Sequence, residues 1–281
     1  MTAPRWWRQL RACATQERQL AVRSRWTIVF AVLFAVLALA VGGAGYILTG
    51  GRGVQDFART AVSLVQLVLL LVPLTSLVIG VMALTPERGG AELLFAQPVA
   101  RGTVLAGKLL GLFEALAAAQ LIGFGAAGLA IHSQSGLEGL SAFLALVGGA
   151  LLLTAVFLGF AAVLAATSVG RRSRALALAL VVWFVSVVIF DVTVLGVASW
   201  LRSGTASRLL IVSVLVNPAD AVRTATMLAI EGDAAFGAAS LAFFRILGGS
   251  FKAYAWLAAS VVAWVVLPPL VAWRQLERAD I

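Results

Sequence analysis

Six stretches of the chain are apolar over nearly their whole length: 26–48, 60–84, 103–131, 140–167, 175–200 and 254–273. Each holds the roughly 20 apolar residues that carry a helix across the hydrocarbon of a bilayer. The pattern predicts an all-α membrane protein with six transmembrane helices. The first stretch is longer than the apolar core of a signal peptide, and Gly43-Ala44-Gly45 is poor evidence for cleavage. It therefore reads as an uncleaved first span.

Two segments outside the spans carry patterns of their own. Within 1–25, helical spacing puts Trp6, Leu10, Cys13 and Leu20 on one face, with Trp7, Ala14 and Ala21 at its edge. Arg5, Arg8, Arg11 and Arg18 lie opposite, and Glu17 is out of place on the apolar face. This predicts a basic amphipathic helix in the plane of the membrane interface. Between the fifth and sixth spans, 201–253 is the longest non-spanning stretch. Its apolar run 209–216 is too short to span and fits a half-helix that re-enters the membrane and ends at Asn217-Pro218. A short helix over 219–230 follows, with Asn217 as its cap and Pro218 in its first turn. Asp220 and Arg223, three apart, can pair on one face of it. The segment is either a surface for a partner or a lid over the outer mouth. The chain thus divides into an interface helix (1–25), spans one to five (26–200), an extracytoplasmic or re-entrant segment (201–253), and the last span with its tail (254–281).

The loop between spans two and three is built differently. Pro86 ends span two, because its ring clashes with helix continuation. Gly89 and Gly90 permit a sharp change of direction. A helix over 91–97 then puts Leu93 and Leu94 on one side and Glu92 on another; Pro98 stops it and Arg101 opens the next span. A short amphipathic helix between two proline stops suits docking on a soluble partner.

Charge orients this layout. Arg5, Arg8, Arg11, Arg18, Arg23, Arg25, Arg88, Arg101, Lys108, Arg171, Arg172, Arg174, Arg274 and Arg278 fall on one side of a six-span chain, out of 21 Lys and Arg in all. The positive-inside rule places that side, both termini and the proline-bounded loop in the cytoplasm. Basic residues at span ends also account for the net charge of +9 without nucleic acid. The chain is 62% apolar and 12% charged, against about 45–50% and about 25% for a soluble domain. Cys13 is the only cysteine and His132 the only histidine, so neither a disulfide scaffold nor a Cys- or His-rich metal site is expected. No phosphate-binding G-x-x-x-x-G-K-[ST] run and no G-x-S-x-G is present. No catalytic residue is expected, and energy for any transport must come from another chain.

Polar residues inside spans are costly and point to function by default. Glu114 lies roughly ten residues into span three, about 15 Å along a helix. Asp191 lies in the outer half of span five, and Gln66 and Gln120 are uncharged companions. Each carboxylate either lines a path or hinge, or is held by a helix–helix hydrogen bond. The glycines of the spans, among them Gly107, Gly111, Gly123, Gly125, Gly128, Gly148, Gly149 and Gly159, are expected to let helices approach closely.

The run Glu87-Arg88-Gly89, then Leu93-Leu94, Pro98, Arg101 and Gly107-Lys108 resembles the coupling-helix signature of ABC exporter permeases of the second class, with Gly90 where that family has Thr. The resemblance implies that Glu87, Arg88, Gly89, Gly90, Glu92, Leu93, Leu94, Pro98 and Arg101 enter a groove on a cytoplasmic ATPase. Gly107-Lys-Leu-Leu-Gly111 with Leu121-Ile-Gly-Phe-Gly125, Trp183-Phe184 with Phe190-Asp191, and Asn217-Pro218-Ala-Asp220-Ala-Val-Arg223 with Glu231-Gly232 are similar to segments of one branch of that family. That branch serves maturation of nitrous oxide reductase. Val222 stands where that pattern has Tyr or Phe. The branch implies a homodimer in the bacterial inner membrane, two ATPase subunits that hold ATP and magnesium, and a periplasmic β-helix protein on the outer face. Its output is export of a sulfur species, or movement passed to the periplasmic protein, for a copper–sulfur cluster. An exporter of a drug, lipid or peptide shares the same fold signature and remains the alternative.

Overall fold

The structure is a computed structural model that describes residues 4–49, 54–85, 100–135, 140–168, 171–232, 235 and 237–278. Every regular element among the described residues is helical. In chain order they are α1 (Arg5–Arg23), α2 (Arg25–Thr49), α3 (Val54–Leu84), α4 (Arg101–Ser135) and α5 (Leu140–Thr167). Then come α6 (Arg172–Phe184), a π-helical turn (Val185–Ile189), α7 (Phe190–Trp200), α8 (Ser203–Val216), α9 (Pro218–Glu231), α10 (Ala238–Leu247) and α11 (Ser250–Arg278). Each of the six apolar stretches coincides with a helix or, for the fifth, with the rod α6–π–α7. Among the described residues, five helices qualify as spans by length and composition alone, and two bent pairs raise the number to as many as seven. One pair is α1–α2, bent by 66°, and the other is α8–α9, bent by 100°.

The centre of the bundle is α5, buried from Ala142 to Ala165. Its most apolar window is 56% buried, whereas that of the α6–π–α7 rod is 11% buried, so the rod is peripheral. Close approach to α5 depends on small residues, because lipid supplies no hydrophobic drive between helices. A Cβ on Gly80 of α3 would stand 2.7 Å from Ala161 Cβ, and one on Gly159 would stand 2.8 Å from Pro269 Cδ of α11. Gly149 likewise faces Thr226 of α9. Gly125 and Gly148 meet nothing within 4 Å, so the packing expected of them is not found.

The N-terminal helix makes a contact that its amphipathic pattern did not announce. It packs along the first half of α4, and the bend at Ser24 lets α2 continue along the second half, where Phe34 meets Gly123. Its buried face is Ala14, Glu17 and Ala21, while Trp6 and Leu20 are 55% and 59% exposed. Gly107 and Gly111 bring the backbones together: a Cβ on Gly107 would stand 2.6 Å from Cys13 Cβ, and one on Gly111 would stand 2.9 Å from Arg18 N. Glu17 is buried because a cation meets it there.

Candidate functional site

That cation is Lys108, whose Nζ lies 3.0 Å from Glu17 Oε2. The same ammonium donates to Ala83 O at 3.3 Å, in the last turn of α3. Arg172, opening α6, donates from Nη2 to Met82 O at 3.0 Å. The final carbonyls of a helix have no intrahelical partner and carry the negative end of its dipole, so two cations there are favourable. On the other flank, Arg101 donates from Nη1 to Leu276 O at 2.8 Å, tying the start of α4 to the end of α11. One end of the bundle therefore holds α1, the end of α3, the starts of α4 and α6, and the end of α11. The segment 86–99 leaves α3 and enters α4 at this end. Glu87, Arg88, Gly89, Gly90, Glu92, Leu93, Leu94 and Pro98 lie outside the described residues; Arg101 stands at the foot of their loop.

Glu114 is not an isolated carboxylate within a span. Arg18 of α1 donates to it from Nη1 to Oε2 at 3.0 Å, with side chains 47% and 38% exposed. Gln120 is buried and donates from Nε2 to Thr154 Oγ1 of α5 at 2.7 Å. Both are helix-to-helix ties.

A second polar cluster sits toward the other end of the bundle. Asn217 is the hinge between α8 and α9. Its Oδ1 accepts from Ala219 N at 3.2 Å, and Pro218, which lacks an N–H, occupies the first turn. The Asn217 amide nitrogen donates to Asp220 Oδ2 at 3.0 Å and to Ser186 O at 2.8 Å. Ser186 lies in the π-helical turn of the fifth span. One turn farther on, Arg223 forks between two carboxylates: Nη2 lies 2.7 Å from Asp220 Oδ1 and Nη1 3.1 Å from Asp191 Oδ2. Asp191 opens α7 directly after the π turn. The planar guanidinium is suited to such a double contact. Two hydrogen-bonded connections thus join the peripheral α6–π–α7 rod to the bent α8–α9 pair, one within the irregular turn and one just after it. The nearby Trp183 Nε1 donates to Leu70 O at 3.0 Å, tying the same rod to α3.

Residues 11–281 match the family described as ABC-2 family transporter protein. The chain belongs to the ABC-2 transporter family. It is 34% identical over 274 residues to the probable ABC transporter permease protein NosY of Stutzerimonas stutzeri, covering 94% of this chain and 96% of that one. A second relative of the same description, from Pseudomonas aeruginosa, is 34% identical over 236 residues, covering 82% of this chain and 85% of its own. As an ABC-2 permease the chain is the membrane component of a transporter whose ATPase is a separate subunit. Within the permease, Asn217, Pro218, Asp220, Arg223 and Asp191 come together, while Glu114 and Gln120 stand apart from them. Four residues of the two clusters lay outside the sequence reading of the site: Glu17, Lys108, Arg172 and Ser186. Glu17 was signalled by being a carboxylate on an apolar face. The Ser186 contribution is a backbone carbonyl in a π turn, which no side-chain pattern announces.

Proposed function

We propose that two copies of this permease form the membrane part of an exporter in the bacterial inner membrane, with six spans and both termini in the cytoplasm. The loop 86–99 docks on the ATPase: Glu87, Arg88 and Glu92 supply docking charge, Gly89 and Gly90 the chain reversal, Leu93 and Leu94 apolar insertion, and Pro98 the stop. ATP and magnesium are held by that subunit. Movement at the loop reaches α1, α3, α4 and α6 through Lys108, Glu17 and Arg172. The hinge at Asn217 and the Asp191–Arg223–Asp220 cluster then lie where movement of the fifth span is passed to the α8–α9 pair. That pair gates the outer mouth or pushes on a periplasmic β-helix partner. The exported or mobilised species is sulfur for the copper–sulfur cluster of nitrous oxide reductase.

The observation that carries this reading is the match to NosY relatives over nearly their whole length. The test is replacement of the permease gene in a nitrous oxide-respiring host by this one. Copper–sulfur loading of nitrous oxide reductase, read by its visible absorption, is expected to be restored. An intact transporter complex beside an unloaded reductase would favour an exporter of another cargo.

A further inference from the structure

At the end of the bundle opposite the loop 86–99, a cleft of about 630 Å³ lies between the first turns of α8 and the last turns of α10. Arg202, Arg208 and Arg245 line it together with Thr205 and Ser207, whose hydroxyl donates to Ser203 O at 2.9 Å, and no carboxylate is among its lining residues. None of the three guanidinium groups has an ion pair or a side-chain hydrogen bond among the described residues. Arg223, in the same segment, is by contrast neutralised by two aspartates. Three cations facing one cleft repel each other, and an anion there relieves all three at once. Guanidinium forks and hydroxyls together match a phosphate group.

The surroundings select the source of that phosphate. Among the described residues, the most exposed large apolar side chains lie at this end: Trp200 at 91%, Phe251 at 84% and Leu241 at 72%. Leu241 is itself part of the cleft wall. Trp200 lies two residues before Arg202, and Phe251 is followed by Lys252. Exposed aromatic groups beside cations belong at headgroup depth, where apolar bodies meet acyl chains and charges meet phosphate. A surface bathed only in water gains nothing from keeping them exposed. We infer that the cleft formed by Arg202, Arg208 and Arg245 binds the phosphate of an anionic phospholipid in the leaflet at this end of the bundle. The site fixes α8 and α10 to the membrane surface on either side of the hinge at Asn217. It depends on the bilayer placement of the permease and is independent of its cargo.

The test uses the full chain, purified in detergent and stripped of lipid. Phosphatidylglycerol or phosphatidylcholine is added in mixed micelles, and bound lipid is read by native mass spectrometry. Wild type is expected to retain phosphatidylglycerol in preference to phosphatidylcholine. The R202Q/R208Q/R245Q variant should bind it about tenfold more weakly or worse, given three juxtamembrane charges removed. R202K/R208K/R245K, which keeps the charges but not the forks, should bind between wild type and the Gln variant. Melting temperature without lipid should be the same in all three, since the side chains are exposed and have no ion pair among the described residues. Equal phosphatidylglycerol retention by wild type and the Gln variant would overturn the site. Full displacement of the lipid by inorganic phosphate alone would overturn the lipid as its occupant and assign the cleft to a free oxyanion. Loss of an acidic protein from host co-purification in the Gln variant, with lipid binding unchanged, would overturn it in favour of a protein contact.

Discussion

Arg223 bridges two carboxylates, Asp220 and Asp191. Removing it would leave Asp220, whose side chain is 7% exposed, and Asp191 without their cation. Breaking a fully buried ion pair from one side costs roughly 3–5 kcal/mol, and the partial exposure of Arg223 and Asp191 lowers that cost here. Arg223→Gln is therefore expected to lower the melting temperature clearly. Arg223→Lys should recover only part of it, since an ammonium cannot fork between two carboxylates. Thermal unfolding followed by tryptophan fluorescence checks both. Glu114 and Asp191, both polar residues of spans, differ in what they hold. Glu114 forms a half-exposed pair with Arg18, of a kind worth about 0–1 kcal/mol. Asp191 joins the fifth span to α9. Transport complementation should be near wild type for Glu114→Gln and clearly impaired for Asp191→Asn; equal, wild-type-like complementation by both would contradict this. The pairing of Asp220 with Arg223, the capping role of Asn217 and the place of Pro218 were legible from spacing alone, because they are local. The partner of Arg223 in another span, 32 residues away, was not, since nothing in one sequence fixes how two spans face each other.

At the scale of elements, α1 is the clearest case of structure adding to what the pattern shows. Its tryptophans and arginines predict a helix lying in the plane of the membrane interface. The structure packs it on α4 through Gly107 and Gly111, with Glu17 against Lys108. The two glycines were legible as small residues; their partner was not, because α1 buries its small residues and Glu17 rather than its large apolar ones. A side chain at Gly111 would run into the backbone of Ala14 and Arg18. Gly111→Leu is thus expected to detach α1 from α4. The readout is a loss of the Arg18–Glu114 proximity, measured by cross-linking a cysteine pair placed at those positions in a Cys13→Ala background. An undiminished cross-link would show that α1 does not depend on this approach. The loop 86–99 belongs to the same scale. Leu94→Asp or Glu87→Arg is expected to uncouple ATP hydrolysis from transport without altering the melting temperature of the spans. An assembled complex with fully stimulated hydrolysis and transport would show that the loop is not the coupler.

At the scale of the whole molecule, the six apolar stretches predicted the long helices, because hydropathy and length are properties of each stretch by itself. The half-helix ending at Asn217-Pro218 was equally legible, and α8 and α9 meet there at 100°. Helix order around the bundle was not. The central place of α5 and the peripheral place of the fifth span depend on which small residues find partners, as Gly80 and Gly159 do while Gly125 and Gly148 do not. The resulting molecule is a bundle with a cation-braced loop base at one end and a hinged, arginine-bearing pair of short helices at the other. Its central claim is that an ATPase drives the first end and that the second acts outside the cytoplasm. Gentle detergent co-purification of the tagged full chain from its own host, with mass spectrometry of what accompanies it, tests this most directly. The account predicts an ATP-hydrolysing subunit in equal amount together with a periplasmic β-helix protein. Recovery of intact permease without any ATPase, under conditions that preserve other transporter complexes, would contradict it.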